Sequence, residues 1–292
     1  MATRISAVVI SRNEGARLRK TVENLDRTLP AGAEIIVVDD ASKDGSTAFL
    51  TSAKGARIRL LPNAVAGGVA RARNQGARAT SGDVLVFCDA HIALDKDWWR
   101  PVTALLETRS IAASAPAMAE MPTRQHIGYG LTLPKPNLEA KWRKRRIVQP
   151  APAPILPGAC MALRRDVFDS TGGYDEAMLA AGNVDNEMCL RLWLLGYELW
   201  ITPETLVAHH FRTRIPYPLP DRFSIHNRLR LALVHFSPDR LDRVVGTLQE
   251  YVGFGEALLL AVAGDVAARR QHLQATRRKS DDWFCKKFLL DW

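Results

Sequence analysis

The chain has 292 residues, 47% of them apolar and 24% charged, which suits one large globular domain or two small ones and excludes disorder as its main state. Forty lysines and arginines against 31 acidic residues give a net charge of +9. This charge favours anionic ligands but does not choose among nucleic acids, membrane surfaces and phosphate compounds. The four cysteines form no C-x-x-C pair, so neither a disulfide scaffold nor a four-cysteine zinc site is expected.

The N-terminal residues lack the basic start and the apolar segment of roughly 7–15 residues that a signal peptide has. No part of the sequence reaches the ~18 consecutive apolar residues that a membrane-spanning helix needs. We therefore expect a cytoplasmic protein with no membrane span.

The N-terminal third alternates strand and helix patterns. Leu18, Val22 and Leu25 recur at helical spacing, a short helix is expected after Asp44–Thr47, and a longer one runs from Gly67–Gly68 to about Ala79. Apolar, β-branched runs predict strands at 5–10, 34–38, 58–61 and 83–88. Strands that alternate with helices predict a parallel α/β sheet, in which ligands bind beyond the carboxyl ends of the strands.

The middle of the chain is less regular. Residues 121–157 are rich in proline and predict a long loop region with one short helix. A helix is expected at 186–195 and a strand at 199–202. Helical spacing dominates from about residue 221 to the end.

Candidate metal ligands follow the strands. Asp89 and His91 come directly after the fourth predicted strand, and residues i and i+2 of extended backbone point to the same side, so they can share one divalent ion. His209 or His210, after the apolar Leu206–Ala208, can supply a third ligand, which leaves several metals open, Mn²⁺ among them. The alternative is a solvated strand end and a histidine that merely caps a strand.

Two further groups have both a chemical and a structural interpretation. Asp185 and Glu187, near the start of the predicted helix, can deprotonate an acceptor hydroxyl, but acidic residues also suit a helix N-terminus. Gly67–Gly68 followed by Arg71 and Arg73 suits a phosphate, although it matches neither a Walker loop nor a dinucleotide fingerprint.

The basic run Lys141–Arg146 contains one aromatic residue, Trp142, and by default it is a solvated face. A basic nucleic-acid-binding protein is the competing interpretation, but it does not account for the Asp and His residues at the strand ends.

Several segments, taken in order, resemble a GT-A glycosyltransferase. The pattern is similar to the catalytic domain of polypeptide N-acetylgalactosaminyltransferases and to the broad inverting glycosyltransferase family 2, over roughly residues 5–214 with a fainter echo at 275–288. The segments are VVISRNE, EIIVVDDASKDGS, GGVARARNQGA, DVLVFCDAH, PGACMALRRDVFDSTGGYDEAM, DNEMCLRLWLLGYELWITP and VAHHFR.

The resemblance implies a GT-A fold, with a mostly parallel sheet flanked by helices. Residues 1–115 would form the nucleotide-sugar-binding half, 116–215 the acceptor-side half of the same domain, and 216–292 a helical C-terminal extension. Asp89, His91 and His209 would hold Mn²⁺ or Mg²⁺. The residues implied to bind the donor are Ile10, Ser11, Arg12, Glu14, Asp39, Asp40, Arg73, Gly158, Ala159 and Arg212.

The implied roles of these donor residues differ. The end of the first strand would touch the nucleotide, Asp39 or Asp40 would bind the uracil, Arg73 and Arg212 would lie near the diphosphate, and 158–159 would line the sugar.

The chain departs from the resemblance at Ala181–Asp185, where the N-acetylgalactosaminyltransferases read W-G-G-E-N. Ala181 and Val184 replace the tryptophan and the sugar-contacting glutamate, which argues against N-acetylgalactosamine as the donor sugar. Aligned with the inverting family, Asp185 takes the place of the catalytic base and Glu187 that of a second acid. Transfer with inversion is therefore expected, and retaining transfer to a peptide is the alternative.

The implied activity is metal-dependent transfer of a sugar from a UDP-sugar to a hydroxyl, amide or thiol of a small molecule, peptide or glycan. The loop from Arg124 to Lys141 is a candidate lid that excludes water. The basic segment PKPNLEAKWRKRR is expected near the acceptor, and its charge suggests an acidic or phosphorylated one. No nucleic-acid partner is expected, and the C-terminal helices are a candidate homodimer interface.

Overall fold

The computed structural model describes residues 3–50, 57–212 and 214–292. Its strands are β1 (Ile5–Ser11), β2 (Glu34–Asp39), β3 (Ile58–Pro62), β4 (Val84–Asp89), β5 (Ile92–Leu94), β6 (Ile111–Glu120), β7 (Ile127–Gly128), β8 (Leu131–Thr132), β9 (Lys141–Trp142), β10 (Ala151–Pro152), β11 (Cys160–Arg164) and β12 (Glu198–His209). Its helices are α1 (Ala16–Thr28), α2 (Val69–Arg78), α3 (Trp99–Leu105), α4 (Arg165–Ser170), α5 (Val184–Leu194), α6 (Asp221–His235), α7 (Pro238–Leu248), α8 (Phe254–Val262), α9 (Val266–Thr276) and α10 (Asp281–Phe288).

The main sheet has the strand order β10-β12-β6-β11-β4-β1-β2-β3, with β5 paired to β12 and β7 paired to β6. Parallel pairing joins β4, β1, β2 and β3, and also joins β6 to β12. β11 runs antiparallel between β4 and β6. This α/β architecture with a mostly parallel sheet confirms the predicted fold class.

Continuous apolar runs place the first strands in the interior. Every residue of β1 except Ile10 is buried, as expected for a strand covered by helices on both faces. α1 covers one face with Leu18, Val22 and Leu25, which share one side of the helix. The Thr21 hydroxyl of the same helix donates to the Ile92 carbonyl at 3.0 Å and so fixes the position of β5 beside the sheet.

The segment 121–157 corrects one prediction, because its described structure contains no helix. It forms the short strands β7 to β10, held by the hydrogen bonds from Tyr129 N to Arg143 O and from Leu131 N to Ile155 O, each 2.9 Å. Local proline content signals an irregular segment but does not reveal these long-range strand pairs.

Two other elements differ in extent from the prediction. The strand expected at 199–202 continues to His209 as β12, with a register shift between Thr202 and Leu206 that absorbs Pro203. The helix expected after Asp44–Thr47 is a 3₁₀ turn at Ala48–Leu50, and the residues directly after it lie outside the described part.

Helices α6 to α10 form the C-terminal extension and pack on α5 through α6 and α10. β6 crosses the boundary between 1–115 and 116–215, so one sheet joins both predicted halves; the division into three segments stays a prediction. Among the described residues, no helix combines the length and apolar character needed to cross a bilayer.

Candidate active site

A cleft of about 300 Å³ opens at the carboxyl ends of β1, β2 and β4, beside the end of β12. This is the edge at which parallel α/β sheets bind ligands. Six of the predicted donor-binding residues line it, namely Ile10, Ser11, Arg12, Glu14, Asp40 and Arg212. All three predicted metal ligands line the same cleft.

Asp89, His91 and His209 each offer a ligand atom, and these atoms lie within 4.8 Å of one another. His209 Nε2 is 3.2 Å from Asp89 Oδ2, and His91 Nε2 is 4.0 Å from the same oxygen. The arrangement arises because β5 pairs with the end of β12, which places His209 opposite Ile92. The side chain of His210 lies outside this group of described ligand atoms.

The chemistry of this group fits a divalent cation. Desolvation alone would raise the pKa of Asp89, but the hydrogen bond from His209 and the nearby charges of His209, His91 and Arg73 hold it well below its usual range. The carboxylate is therefore ionised at neutral pH. His209 Nδ1 is buried without a partner among the described atoms. One carboxylate and two imidazoles suit Mn²⁺ and several neighbouring metals.

Arg73 lies between two carboxylates just below the cleft. Its side chain is buried, pairs with Asp185, and lies 3.9 Å from Asp89 Oδ1. Nη2 also donates to the Gly158 carbonyl at 2.9 Å, and the guanidinium lies over the Tyr174 ring at 5.0 Å. Arg73 thus connects the base candidate to the metal-ligand candidate through one rigid cation.

Asp185 lies in the first turn of α5, next to Gly158 on the loop that leads into β11. A Cβ atom at residue 158 would lie 2.1 Å from Asp185 Oδ2, so only glycine permits this approach. Burial, followed by the neighbouring Asp89 charge, raises the pKa of Asp185 against the opposing effect of Arg73. Asp185 therefore does not line the cleft itself, and Arg73 connects it to Asp89, which does.

A second charged group closes the opposite wall of the cleft. Arg212 pairs with Glu14, and its Nη2 is 3.0 Å from His91 Nδ1. Glu14 Oε2 is 3.3 Å from the same nitrogen. The Arg12 guanidinium lies 4.3 Å from the centre of the Tyr217 ring. Arginines thus line the cleft from β1 and from the segment after β12.

The two adjacent carboxylates after β2 have different environments. Asp40 lines the cleft and accepts the backbone N–H groups of Gly67 at 2.6 Å and Gly68 at 3.0 Å. Asp39 accepts the Ser42 N–H at 3.1 Å and does not line the described cleft. The structure therefore brings Asp40, and not Asp39, to the predicted nucleotide side.

Glu187 is a predicted site residue that does not line the cleft and lies in a buried group of charges instead. It is 1% exposed and pairs with Arg191 at 2.9 Å, His235 at 3.0 Å and Arg269 at 3.3 Å. Despite desolvation, the Arg191 charge holds its pKa well below the usual range. Positions two apart on a helix differ by about 200°, so Asp185 and Glu187 necessarily lie on opposite sides of α5.

The cleft also contains residues that the sequence analysis did not name. Tyr217, Ile215 and Ala180 line it, together with Phe211. The proline-rich segment 216–220 follows closely after the candidate metal ligand His209. This position is the sequence signal that could have indicated Tyr217 and Ile215 as cleft residues. Ala180 carries no signal, because it reaches the cleft through the tertiary hydrogen bond from Val69 N to its carbonyl at 2.7 Å.

Phe211 also borders a second groove of about 470 Å³. Its ring meets Trp142 edge-on at 5.8 Å and His209 at 4.5 Å between centroids. Met118, Ile127 and Trp142 supply apolar walls. The groove and the cleft are therefore neighbours that share one aromatic side chain.

A family model described as glycosyl transferase family 2 matches residues 6–172, more than half of the chain. The chain belongs to this family. It is 30% identical over 253 residues to polypeptide N-acetylgalactosaminyltransferase 11 of Xenopus tropicalis, covering 78% of this chain and 42% of that protein. It is 29% identical over 235 residues to human polypeptide N-acetylgalactosaminyltransferase 15, and the match covers 74% of this chain and 37% of that protein. The chain thus spans about two fifths of these curated relatives.

Solved structures share the fold and confirm the predicted GT-A architecture of this family 2 member. A crystal structure of GalNAc-T7 with UDP, GalNAc and Mn²⁺ gives a TM-score of 0.80 at 21% identity, over 99% of this chain and 57% of that one. The structure of the mannosyltransferase PcManGT from Pyrobaculum calidifontis, in complex with GDP-Man and Mn²⁺, gives a TM-score of 0.58 at 18% identity. This match covers 94% of our chain and 79% of that one.

Proposed function

We propose that this family 2 protein is a metal-dependent glycosyltransferase that uses a UDP-sugar. The observation that carries the proposal is the group of Asp89, His91 and His209 at the carboxyl edge of the sheet, with Arg212 beside it. The relatives named as polypeptide N-acetylgalactosaminyltransferases and the neighbour bound to UDP and Mn²⁺ support it. A peptide hydroxyl is the acceptor class that these relatives favour.

The cleft residues have distinct proposed roles toward the donor. Asp40 accepts an N–H of the uracil, while Arg12 and Tyr217 flank the nucleotide. Asp89, His91 and His209 hold the divalent ion, which when bound neutralises charge on the leaving diphosphate. The ion is Mn²⁺, as in both structural neighbours, or Mg²⁺.

The leaving group needs a cation nearby, whereas the acceptor needs a base. The diphosphate gains negative charge as the bond to the anomeric carbon breaks, and Arg212 stabilises that charge by preorganised electrostatics. The acceptor hydroxyl loses a proton, and Asp185 is the proposed base. Its Oδ1 is held by Arg73, which leaves Oδ2 for the proton. A base in this role gives inversion at the anomeric carbon.

The experiment that tests this function is a thermal shift measured with UDP, GDP, CDP and TDP, each with Mn²⁺, Mg²⁺ or EDTA. A ligand at about 100 times its Kd stabilises the folded state by ~2.7 kcal/mol, or roughly 5 °C in Tm for a protein of this size. We expect this shift with UDP and Mn²⁺ and its loss in EDTA.

Two neighbouring histidines provide a matched pair of variants for the same measurement. His209→Ala should abolish the Mn²⁺-dependent part of the shift, whereas His210→Ala should retain it, because His210 lies outside the ligand group. An undiminished shift in His209→Ala would exclude the metal site. A preference for another nucleotide would show that the donor is not a UDP-sugar. The absence of any nucleotide response would reject the enzyme and favour the nucleic-acid-binding alternative. The cytoplasmic location and the homodimer stay predictions.

A further inference from the structure

Three consecutive cations begin at the groove next to the cleft, and the first of them lines it. Lys144 lines the groove, and Arg145 and Arg146 follow it on the surface. All three side chains are exposed, and within the described ranges none of them forms an ion pair. We call these three residues the basic rim.

The other charged side chains around the groove have hydrogen-bonding or ion-pair partners within the chain. The pairs are Glu120 with His126 at 2.6 Å, Arg124 with Asp95 at 2.9 Å, and Lys141 with Glu139 at 3.4 Å. Arg143, inside the same basic run, is half-buried and donates to the Pro152 carbonyl at 3.1 Å. The basic rim is therefore the charge of this run that is left for a ligand.

The groove combines an apolar wall with polar side chains, namely Glu120, Gln125, His126 and Lys144, and it meets the cleft at Phe211. Trp142 and Phe211 form one aromatic corner, and Phe211 in turn contacts the ring of the candidate metal ligand His209. A molecule in the groove that reaches Phe211 would present its end to the cleft where the donor sugar is expected. The groove is thus on the acceptor side, with the basic rim beyond the aromatic corner.

We infer that the groove binds an acidic peptide acceptor, with the hydroxyl at Phe211, an apolar side chain on Trp142 and carboxylates on the basic rim. This assignment rests on the proposed glycosyltransferase function and adds acceptor specificity to it. A patch of one sign raises the association rate and selects oppositely charged partners, and its effect weakens as salt screens it. Acidic residues near the acceptor hydroxyl are therefore the specificity signal.

The test uses fluorescein-labelled peptides that share one threonine beside a leucine and differ only in having four aspartates, four lysines or four serines. Fluorescence anisotropy is measured with UDP and Mn²⁺ present, at low and at physiological salt. The aspartate peptide should bind wild type at least ~10-fold more tightly than the serine peptide, and the difference should shrink with salt. The lysine peptide should bind most weakly.

The combined variant Lys144→Glu, Arg145→Glu, Arg146→Glu should reverse the order of the aspartate and lysine peptides. A matched control, Arg27→Glu, Arg243→Glu, Lys286→Glu, makes the same change of net charge at exposed helix positions away from the groove. The control should keep the wild-type order. A reversal in both variants would assign the preference to net charge and overturn the role of the basic rim.

Two further outcomes would reject the assignment. Equal affinities of the three peptides for wild type would exclude an acidic peptide acceptor. Tighter binding of an anionic oligosaccharide of equal charge, used as a competitor, would exclude a peptide as the occupant. The UDP and Mn²⁺ thermal shift of the charge-reversal variant separates the two proposals, because its retention leaves the donor site intact even if the acceptor assignment fails.

Discussion

Gly158 shows how one missing side chain determines the position of a reactive group. The close approach of residue 158 to the Asp185 carboxylate lets Arg73 hold both the Gly158 carbonyl and Asp185 at once. The buried guanidinium then lies between Asp185 and Asp89. The spacing between the proposed base and the proposed metal ligand therefore depends on a residue that carries no functional group.

Gly158→Ala should lower kcat by at least ~10-fold, because the new methyl group displaces the Asp185 carboxylate, and it should destabilise the fold by about 1–3 kcal/mol through overpacking. Steady-state kinetics and thermal unfolding measure the two effects. Gly246→Ala is the control, since no atom lies within 4 Å of the added Cβ in α7. Unchanged kcat in Gly158→Ala would remove Asp185 from the reaction.

The stereochemistry of the wild-type product bears on the same residue. A β-linked product from an α-linked donor, identified by NMR, agrees with Asp185 as base. An α-linked product would leave Asp185 as the residue that positions Arg73.

Site residues were predictable from sequence where the chemistry is local. The two-residue spacing of Asp89 and His91 after an apolar strand correctly predicts that they lie together, although His91 lies in the turn between β4 and β5 and not in extended strand backbone. The resemblance to the inverting family implies that Glu187 is a second acid of the site, yet the helical period takes it to a buried group of opposite charges. Tyr217 is indicated in the sequence only by the proline-rich segment around it, whereas tertiary packing alone brings Ala180 to the cleft.

At the scale of elements, the start of α2 and the loop before α5 form one wall of the cleft. Gly68 has a φ of 85°, and a Cβ there would lie 2.8 Å from the Ala180 carbonyl oxygen. The same carbonyl accepts the Val69 N–H at 2.7 Å. The glycine thus permits the contact that joins the start of α2 to the loop before α5.

Gly68→Ala should separate these two elements and raise the Kd for UDP with Mn²⁺ at least ~10-fold, since both clash and φ disfavour alanine. Isothermal titration calorimetry gives the Kd. Gly67→Ala is the neighbouring control, because its Cβ would make only ordinary contacts of 3.4 Å with Arg71 and the N–H to Asp40 remains. Similar Kd values for the two variants would contradict this role of Gly68.

The elements themselves were predicted best where pattern and burial agree. The four N-terminal strands follow from β-branched runs. No end point of these strands differs from its predicted position by more than one residue. The segment 121–157 was not predictable in this way, because two-residue strands are too short to show a sequence pattern and are defined by their pairing partners. The strand predicted at 199–202 and the strand end expected at 206–208 form the single strand β12, in which a register shift accommodates Pro203.

For the whole molecule, a buried set of charges joins α5 to the C-terminal helices. Glu187 meets His235 of α6 and Arg269 of α9, and Arg230 of α6 binds Asp175 at 2.8 Å. Burial lowers the pKa of His235 in spite of its hydrogen bond to Glu187. The stability of the molecule is therefore linked to pH through this histidine.

The sign of this effect follows from linkage. Since the folded pKa is below the unfolded value of about 6.5, the unfolded chain takes up a proton first, and stability falls as pH decreases through that value. Between pH 7.5 and 5.5, the free energy of unfolding should decrease by roughly 1 kcal/mol less in His235→Gln than in wild type. Thermal unfolding across this range measures it, with exposed His272→Gln as control. Identical pH slopes in wild type and His235→Gln would refute the linkage.

The same charges restrict how this chain can recombine with its relatives. In a chimera that takes residues 221–292 from another family member, Asp175 would keep its burial but lose Arg230 and Arg269 unless the donor supplies equivalent cations, whereas Glu187 would still have Arg191. An uncompensated buried charge costs about 3–5 kcal/mol, a large part of the stability of a typical domain. The C-terminal helices and the sheet domain that carries Asp175 and Glu187 are therefore expected to be inherited together, as one evolutionary unit.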